Sequence, residues 1–212
     1  MITSVSILTP PERHAHLRRG DLAKKVVPFS NLYSEVIAFG NFPDKPVDDA
    51  KRLVEYRNEI LALNPKFKPR FGLMVTEKTT PDIVEEAFEA GARFLKTIFA
   101  STSHGASAGI SIDRVEEKYA AYEKAGELEM PTLWHMERAR KDGKDIPLLY
   151  REGEAVPDAE KIINDLLDVK ISIEHISTAA MVELVESSGP NIIATITPHH
   201  TFGVYEDVCD GL

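Results

Sequence analysis

The chain has 212 residues, 43% apolar and 28% charged, the composition of a globular protein with one sizeable core. A net charge of −9 argues against non-specific attraction to nucleic acid or anionic lipid, so an anionic ligand has to be met by local positive groups. Cys209 is the only cysteine, which excludes an intrachain disulfide and a cysteine-rich metal cluster. No apolar run approaches the roughly 18 residues of a membrane span. Residues 1–10 are too short and polar for the core of a signal peptide, so a cytoplasmic location is expected.

In chain order, short apolar runs alternate with helical patterns. The N-terminal segment is expected to supply a first strand. Val36, Ile37, Ala38 and Phe39 form an apolar run that ends at Asn41, and residues 48–63 follow with Ala50, Leu53, Val54, Ile60 and Leu61 at helical spacing. Residues 71–75 read as a strand. Thr80 and Pro81 open a helix as capping hydroxyl and first-turn proline; Val84, Ala87 and Phe88 form its buried face and Gly91 suits its stop. Residues 93–99 read as a strand containing Lys96, followed by a Ser-, Ala- and Gly-rich loop over 100–109. Ser111 caps a helix with Ile112, Val115, Tyr119 and Tyr122 on one face, ending near Gly126. A short strand spans 131–135, a polar surface loop 137–156 and a helix 157–168. Val169, Ile171 and Ile173 alternate toward His175, a helix covers 177–187, and a strand over 191–197 is closed by Pro198.

Alternating β and α units imply an α/β fold, a parallel sheet with helices outside, in a single domain over residues 1–212. A closed β/α barrel needs eight strands and about 250 residues. This pattern offers seven strands, so the architecture is either an open sheet or an incomplete barrel.

Several chemically useful residues fall where the pattern ends strands. His14 and His16 form a His-x-His pair, and alternate residues of a strand face the same way, so both imidazoles can reach one metal; alone, the pair is weak evidence and reads more readily as two solvated or hydrogen-bonded histidines. Lys96 sits inside the apolar run Phe94-Leu95-Lys96-Thr97-Ile98-Phe99. It is either an edge lysine whose stem reaches to water or a buried amine. A buried amine loses its proton readily and can take up carbon dioxide as a carbamate able to bridge two metals. His135 and His175 each close a strand, where a histidine is often satisfied by backbone. Taken together, these residues gather at the strand ends where barrel enzymes build active sites, and histidine is the commonest neutral metal ligand.

The run His14-Ala15-His16-Leu17-Arg18-Arg19-Gly20-Asp21 resembles the HxHLRxGD signature of the dihydroorotases, zinc-dependent members of the amidohydrolase superfamily. Further resemblances follow in order along the chain. Asn41 with Pro43, Pro46 and Val47 is similar to the family's Asn-Leu-x-Pro-Pro-Val segment. Lys96 falls at its carboxylated lysine, and Trp134-His135-Met136-Glu137 at its His-Gly-Glu. Ile173-Glu174-His175-Ile176-Ser177-Thr178 resembles Phe-Glu-His-Ile-Thr-Thr, and residues 194–200 resemble Ala-Thr-Ile-Thr-Pro-x-His. The resemblance implies a TIM-type barrel lacking its last strand. It implies reversible cyclisation of N-carbamoyl-L-aspartate to L-dihydroorotate in pyrimidine synthesis, and a homodimer for the full-length enzyme. It implies two zinc ions, one held by His14, His16 and Lys96, the other by Lys96, His135 and His175, with Lys96 carboxylated and a hydroxide between the ions. Arg18, Asn41 and His135 would contact substrate. Zinc, cobalt and manganese all suit such a site.

The sequence also departs from the family. Its Gly-Thr-Asp-Ser motif, whose aspartate ligates the first zinc and shuttles the proton, has no counterpart; Glu206, Asp207 and Asp210 come too soon after His200. No catalytic residue of that kind is therefore expected in this chain, and a proton-transfer contribution of about 10²–10⁴-fold should be missing. Glu12-Arg13 stands for Asp-Trp, Arg19 for an acid and Met136 for a glycine. Residues 100–105 read Ala-Ser-Thr-Ser-His-Gly where the family carries a Thr-Thr pair over the substrate. The alternative is a non-catalytic dihydroorotase-like protein with an assembly role, of the kind that can bind aspartate carbamoyltransferase.

Overall fold

A computed structural model describes residues 6–102 and 106–204. Cys209, the carboxylates Glu206, Asp207 and Asp210, and the middle of the 100–109 loop lie outside them. The elements run β1 (Glu12–Ala15), α1 (Gly20–Val26), β2 (Glu35–Ala38), α2 (Ala50–Leu61), β3 (Lys68–Phe71), β4 (Leu73–Met74), α3 (Pro81–Glu89), β5 (Leu95–Ile98), α4 (Tyr119–Glu127), β6 (Thr132–His135), β7 (Arg140–Lys141), β8 (Lys144–Asp145), α5 (Arg151–Asp165), β9 (Ile171–Ile173), α6 (Ala179–Ser187), β10 (Ile192–Ala194) and α7 (Pro198–Phe202). One sheet has the order β1-β2-β3 and a second β10-β9-β6-β5-β4, all pairs parallel; β7 and β8 form a separate antiparallel ribbon. The expected α/β class with parallel sheets is what the chain adopts.

Local chemistry explains where the helices start. Asp49 caps α2 by accepting from the Arg52 amide at 2.7 Å, and Thr80 caps α3 with Pro81 at its first position. Thr178 caps α6 in the same way. Alternation along the strands sorts side chains onto two faces. Leu95, Trp134, Ile171 and Ile173 join the large core shared with the helices, where Thr97 and the Tyr122 hydroxyl are hydrogen-bonded at 2.8 Å. Phe39, Phe94 and Leu133 form a small separate core on the other face. Lys96 belongs to that second face, paired in register with Leu133, as Ile98 is with His135.

Several boundaries differ from the sequence expectation. The strand over 71–75 is broken at Gly72, where a Cβ would stand 2.3 Å from the Phe94 ring; the two sheets meet at this break. The helix expected from Ser111 starts instead as a 3-10 turn over Ile112–Lys118, with a non-helical Arg114, before α4. The polar loop over 137–156 contains the β7–β8 ribbon and the first turns of α5. Pro157 is not the start of α5 but lies inside it. The Glu152 carboxylate holds the additional turns in place, accepting from the amides and hydroxyls of Ser177 and Thr178. The last expected strand is shorter, and Pro198, expected to close it, begins α7.

Candidate active site

The carboxyl ends of the strands bring the sequence-predicted residues together. His14, His16, Arg18, Asn41, Lys96, His135 and His175 all line one cleft of about 420 Å³, with Ile98, Glu137, Thr197, His199 and His200. Ring centroids of His14 lie 5.4 Å from His16 and 5.2 Å from His175, and His135 lies 4.6 Å from His175. The His14 and His175 contact joins β1 to the turn after β9, elements of different sheets, so the side chains close over a common space. His135 Nδ1 and His175 Nε2 share a hydrogen bond of 3.0 Å. His175 has φ +47°, a left-handed conformation that swings its ring off the strand direction. Its amide donates to Thr195 Oγ1 at 2.8 Å, which fixes that turn.

The floor is aromatic. Phe39, fully buried, packs edge-on against His14 at 4.3 Å and lies under the Lys96 ammonium, whose Nζ is 4.8 Å from the ring centre. Lys96 is the buried amine of the two sequence readings, not the edge lysine. Burial drives its pKa down to about 8, against the opposing pull of Glu174. Burial likewise depresses His16 to about 3, helped by His14 and the Arg18 charge, and His175 to about 2, helped by His135 and Lys96. His14 is also lowered by burial, with the Glu174 hydrogen bond opposing. These imidazoles are therefore neutral at pH 7, the form that can donate a lone pair to a metal.

Four buried side-chain polar atoms of the described residues have no hydrogen-bond partner: Asn41 Oδ1, Lys96 Nζ, His135 Nε2 and Glu137 Oε2. All four belong to this cleft. A buried unsatisfied group costs about 1–3 kcal/mol, so such atoms concentrate where a ligand satisfies them. Among the described residues no three His, Cys, Asp or Glu side chains form a ready ligand set by themselves. Lys96 Nζ is one of the unsatisfied atoms of this cleft, and as a carbamate it would add two oxygens to the donor set. With imidazoles kept neutral and an amine that loses its proton readily, the donor chemistry fits divalent zinc.

Sequence reasoning did not single out Glu174, Glu137, Thr197, His199 or His200 as site residues. Glu174 was detectable: with Ser172 it makes an i, i+2 polar pair inside an apolar strand, the signature of a polar interior face. A second pocket, of about 440 Å³, adjoins the cleft through Glu137, His199 and His200.

No family model matches the chain. Among curated proteins, a dihydroorotase of Shewanella sediminis is 31% identical over 204 residues, covering 94% of this chain and 58% of the relative. A dihydroorotase of Vibrio atlanticus is 31% identical over 205 residues with the same coverage. The crystal structure of a Campylobacter jejuni dihydroorotase superimposes with a TM-score of 0.83 at 25% identity, over 96% of this chain and 58% of that one. The chain is a homologue of the dihydroorotases. It spans 58% of the length of the curated dihydroorotases it matches. A Saccharomyces cerevisiae dihydroorotase in complex with 5-fluoroorotic acid, TM-score 0.85 at 23% identity over 94% of this chain and 58% of that one, shares the fold. So does a D-hydantoinase, TM-score 0.67 at 16% identity over 93% and 48%.

Proposed function

We propose that this chain carries the metal-binding mouth of a dihydroorotase, a cyclic amide hydrolase that interconverts N-carbamoyl-L-aspartate and L-dihydroorotate in pyrimidine synthesis. The observation behind this reading is that every partnerless buried side-chain polar atom of the described residues falls in the one cleft that gathers four histidines and a buried lysine. His14, His16 and Lys96 would hold one zinc, and Lys96, His135 and His175 the other. Lys96 Nζ would add to carbon dioxide and lose a proton, giving a carbamate. When bound, the ion pair supplies a water ionised near neutral pH and polarisation of the ring carbonyl.

The chain's own residues would bind and orient. Arg18, with no ion pair among the described residues, and Asn41, with a free buried carbonyl, suit the substrate carboxylate and ring; Arg pairs both carboxylate oxygens with its planar fork. His135 would reach the substrate from the opposite wall. Phe39 excludes water from beneath. In the hydrolytic direction water adds to the ring amide carbon, the ring C–N bond breaks and the nitrogen takes a proton; cyclisation is the reverse, with loss of water.

The architecture of this reading is a β/α barrel, seven of whose eight strands are β1, β2, the broken β3–β4, β5, β6, β9 and β10. The eighth would lie between the free edges of β10 and β1. The 212 residues contain no Gly-Thr-Asp segment to act as proton shuttle, so this chain alone should turn over slowly. The second reading is a non-catalytic dihydroorotase-like protein with an assembly role. Partners under the first reading are small molecules and a second copy of the full-length enzyme, with no nucleic acid and no membrane, in the cytoplasm. No helix of the described residues is long and apolar enough to cross a membrane.

The test is a metal count by mass spectrometry on protein purified with bicarbonate, beside Lys96→Ala. The expected result is zinc retained by the parent and lost from the variant. Equal metal in both, or none in the parent, overturns the metal-centre reading. Carbamoyl-aspartate cyclisation at a rate ordinary for a complete enzyme would overturn the expectation of slow turnover.

A further inference from the structure

We propose that Glu174 is a positioning residue that fixes the tautomer and orientation of His14, so that its Nε2 lone pair points into the cleft; the inference rests on the metal-centre reading above. The Glu174 side chain is 1% exposed, and its Oε2 lies 2.8 Å from His14 Nδ1. Its other oxygen accepts from Ser172 Oγ at 2.6 Å, and its backbone amide donates to the Trp134 carbonyl at 2.9 Å. The carboxylate is therefore held by Ser172 of β9, and the Glu174 backbone is tied to β6, while the imidazole it meets comes from β1 of the other sheet.

Elementary hydrogen-bond chemistry then sets the proton. An ionised carboxylate only accepts, so the nitrogen facing it must carry the hydrogen. His14 is thus an Nδ1–H imidazole, and the lone pair is left on Nε2. Glu174 also attracts the Lys96 charge, but the two make no direct hydrogen bond. Lys96 Nζ has no hydrogen-bond partner, whereas both Glu174 oxygens are committed to His14 and Ser172. A carboxylate behind a ligating histidine raises the basicity of the ligand and removes its freedom to rotate, and losing such a partner typically costs 10–100-fold in metal affinity.

The experiment uses the full chain, Glu174→Gln and Ser172→Ala. Long-range proton–nitrogen correlation spectra of the metal-free protein, with His14 assigned by difference from His14→Gln, report the tautomer. Competition with a chromophoric chelator reports zinc affinity, and circular dichroism reports folding. The expected result is an Nδ1–H His14 in the parent. Zinc affinity should fall about 10–100-fold in Glu174→Gln, with unchanged circular dichroism, and fall in the same direction by a smaller factor in Ser172→Ala. An Nε2–H His14 in the parent overturns the inference, as does zinc affinity in Glu174→Gln within twofold of the parent. If Glu174→Gln does not fold, Ser172→Ala decides: an unchanged affinity and an unchanged His14 spectrum overturn it. If the parent takes up no zinc at all, the metal-centre reading fails, and the tautomer alone still judges Glu174.

Discussion

Replacing Glu152 by alanine should destabilise the fold far more than the loss of a surface acid. Glu152 is 9% exposed and accepts from four donors: the Ser177 amide at 2.9 Å, the Ser177 hydroxyl at 2.9 Å, the Thr178 amide at 2.8 Å and the Thr178 hydroxyl at 2.7 Å. Thr178 Oγ1 in turn accepts from the Met181 amide as the cap of α6. A hydrogen bond to a charged group is worth about 1.5–3 kcal/mol net. Ser177 is exposed and can turn to water, so its share is recovered in part. Counting the Thr178 donors fully and those of Ser177 weakly, and allowing for non-additivity, gives a loss of about 3 kcal/mol. For a domain of this size that corresponds to about 6–12 °C in melting temperature. Glu152→Gln should recover less than half, because the new amide nitrogen faces backbone N–H groups that need an acceptor. Urea unfolding followed by circular dichroism measures both. A loss below about 1 kcal/mol for Glu152→Ala, or full recovery by glutamine, would refute the reasoning.

Three further outcomes follow from the same geometry. His16 and His175 have folded pKa values depressed to about 3 and about 2, chiefly by burial, against an unfolded value near 6.5. The unfolded chain therefore takes up protons first as pH falls below 6.5, and metal-free protein should lose about 2–3 kcal/mol between pH 7 and 5.5; a flat urea midpoint over that range would count against buried neutral histidines. Lys96 has a folded pKa of about 8, below its ordinary 10.5, so its contribution falls as pH drops from 10.5 through 8. Lys96→Met should then stabilise metal-free, carbon-dioxide-free protein at pH 7 by about 2–3 kcal/mol while abolishing zinc binding, a pairing readable by calorimetry with and without metal. Ile193, Ile196 and Phe202 are 58%, 59% and 84% exposed along and beyond β10, an edge strand. Sedimentation should show self-association that Ile193→Lys reduces, and a monodisperse monomer would contradict this.

The residues of the candidate site were more legible than the elements that hold them. His14, His16, Lys96, His135 and His175 each stand at or near a strand end, and strand periodicity together with the dihydroorotase resemblance assigned them to one mouth; the cleft contains them all. The Ser172–Glu174 alternation marks a polar face, but not that the partner of Glu174 is His14, 160 residues away. The early start of α5 was hidden by Pro157, which reads as a first-turn residue, while the interaction that holds the extra turns comes from Ser177 and Thr178. The left-handed φ of His175 carries no signature of its own, since nothing in the composition of that turn requires it.

The break at Gly72 reaches further than its place between two short strands suggests. The Phe94 ring fills the space a methyl group would need there, and Phe94 stands edge-on against Phe39, whose ring carries His14 on one side and Lys96 above. A side chain at position 72 would push this aromatic stack upward like a wedge under a table leg. Under the proposed metal-centre reading, the damage would be recorded as lost metal affinity, by a residue that touches none of the candidate ligands.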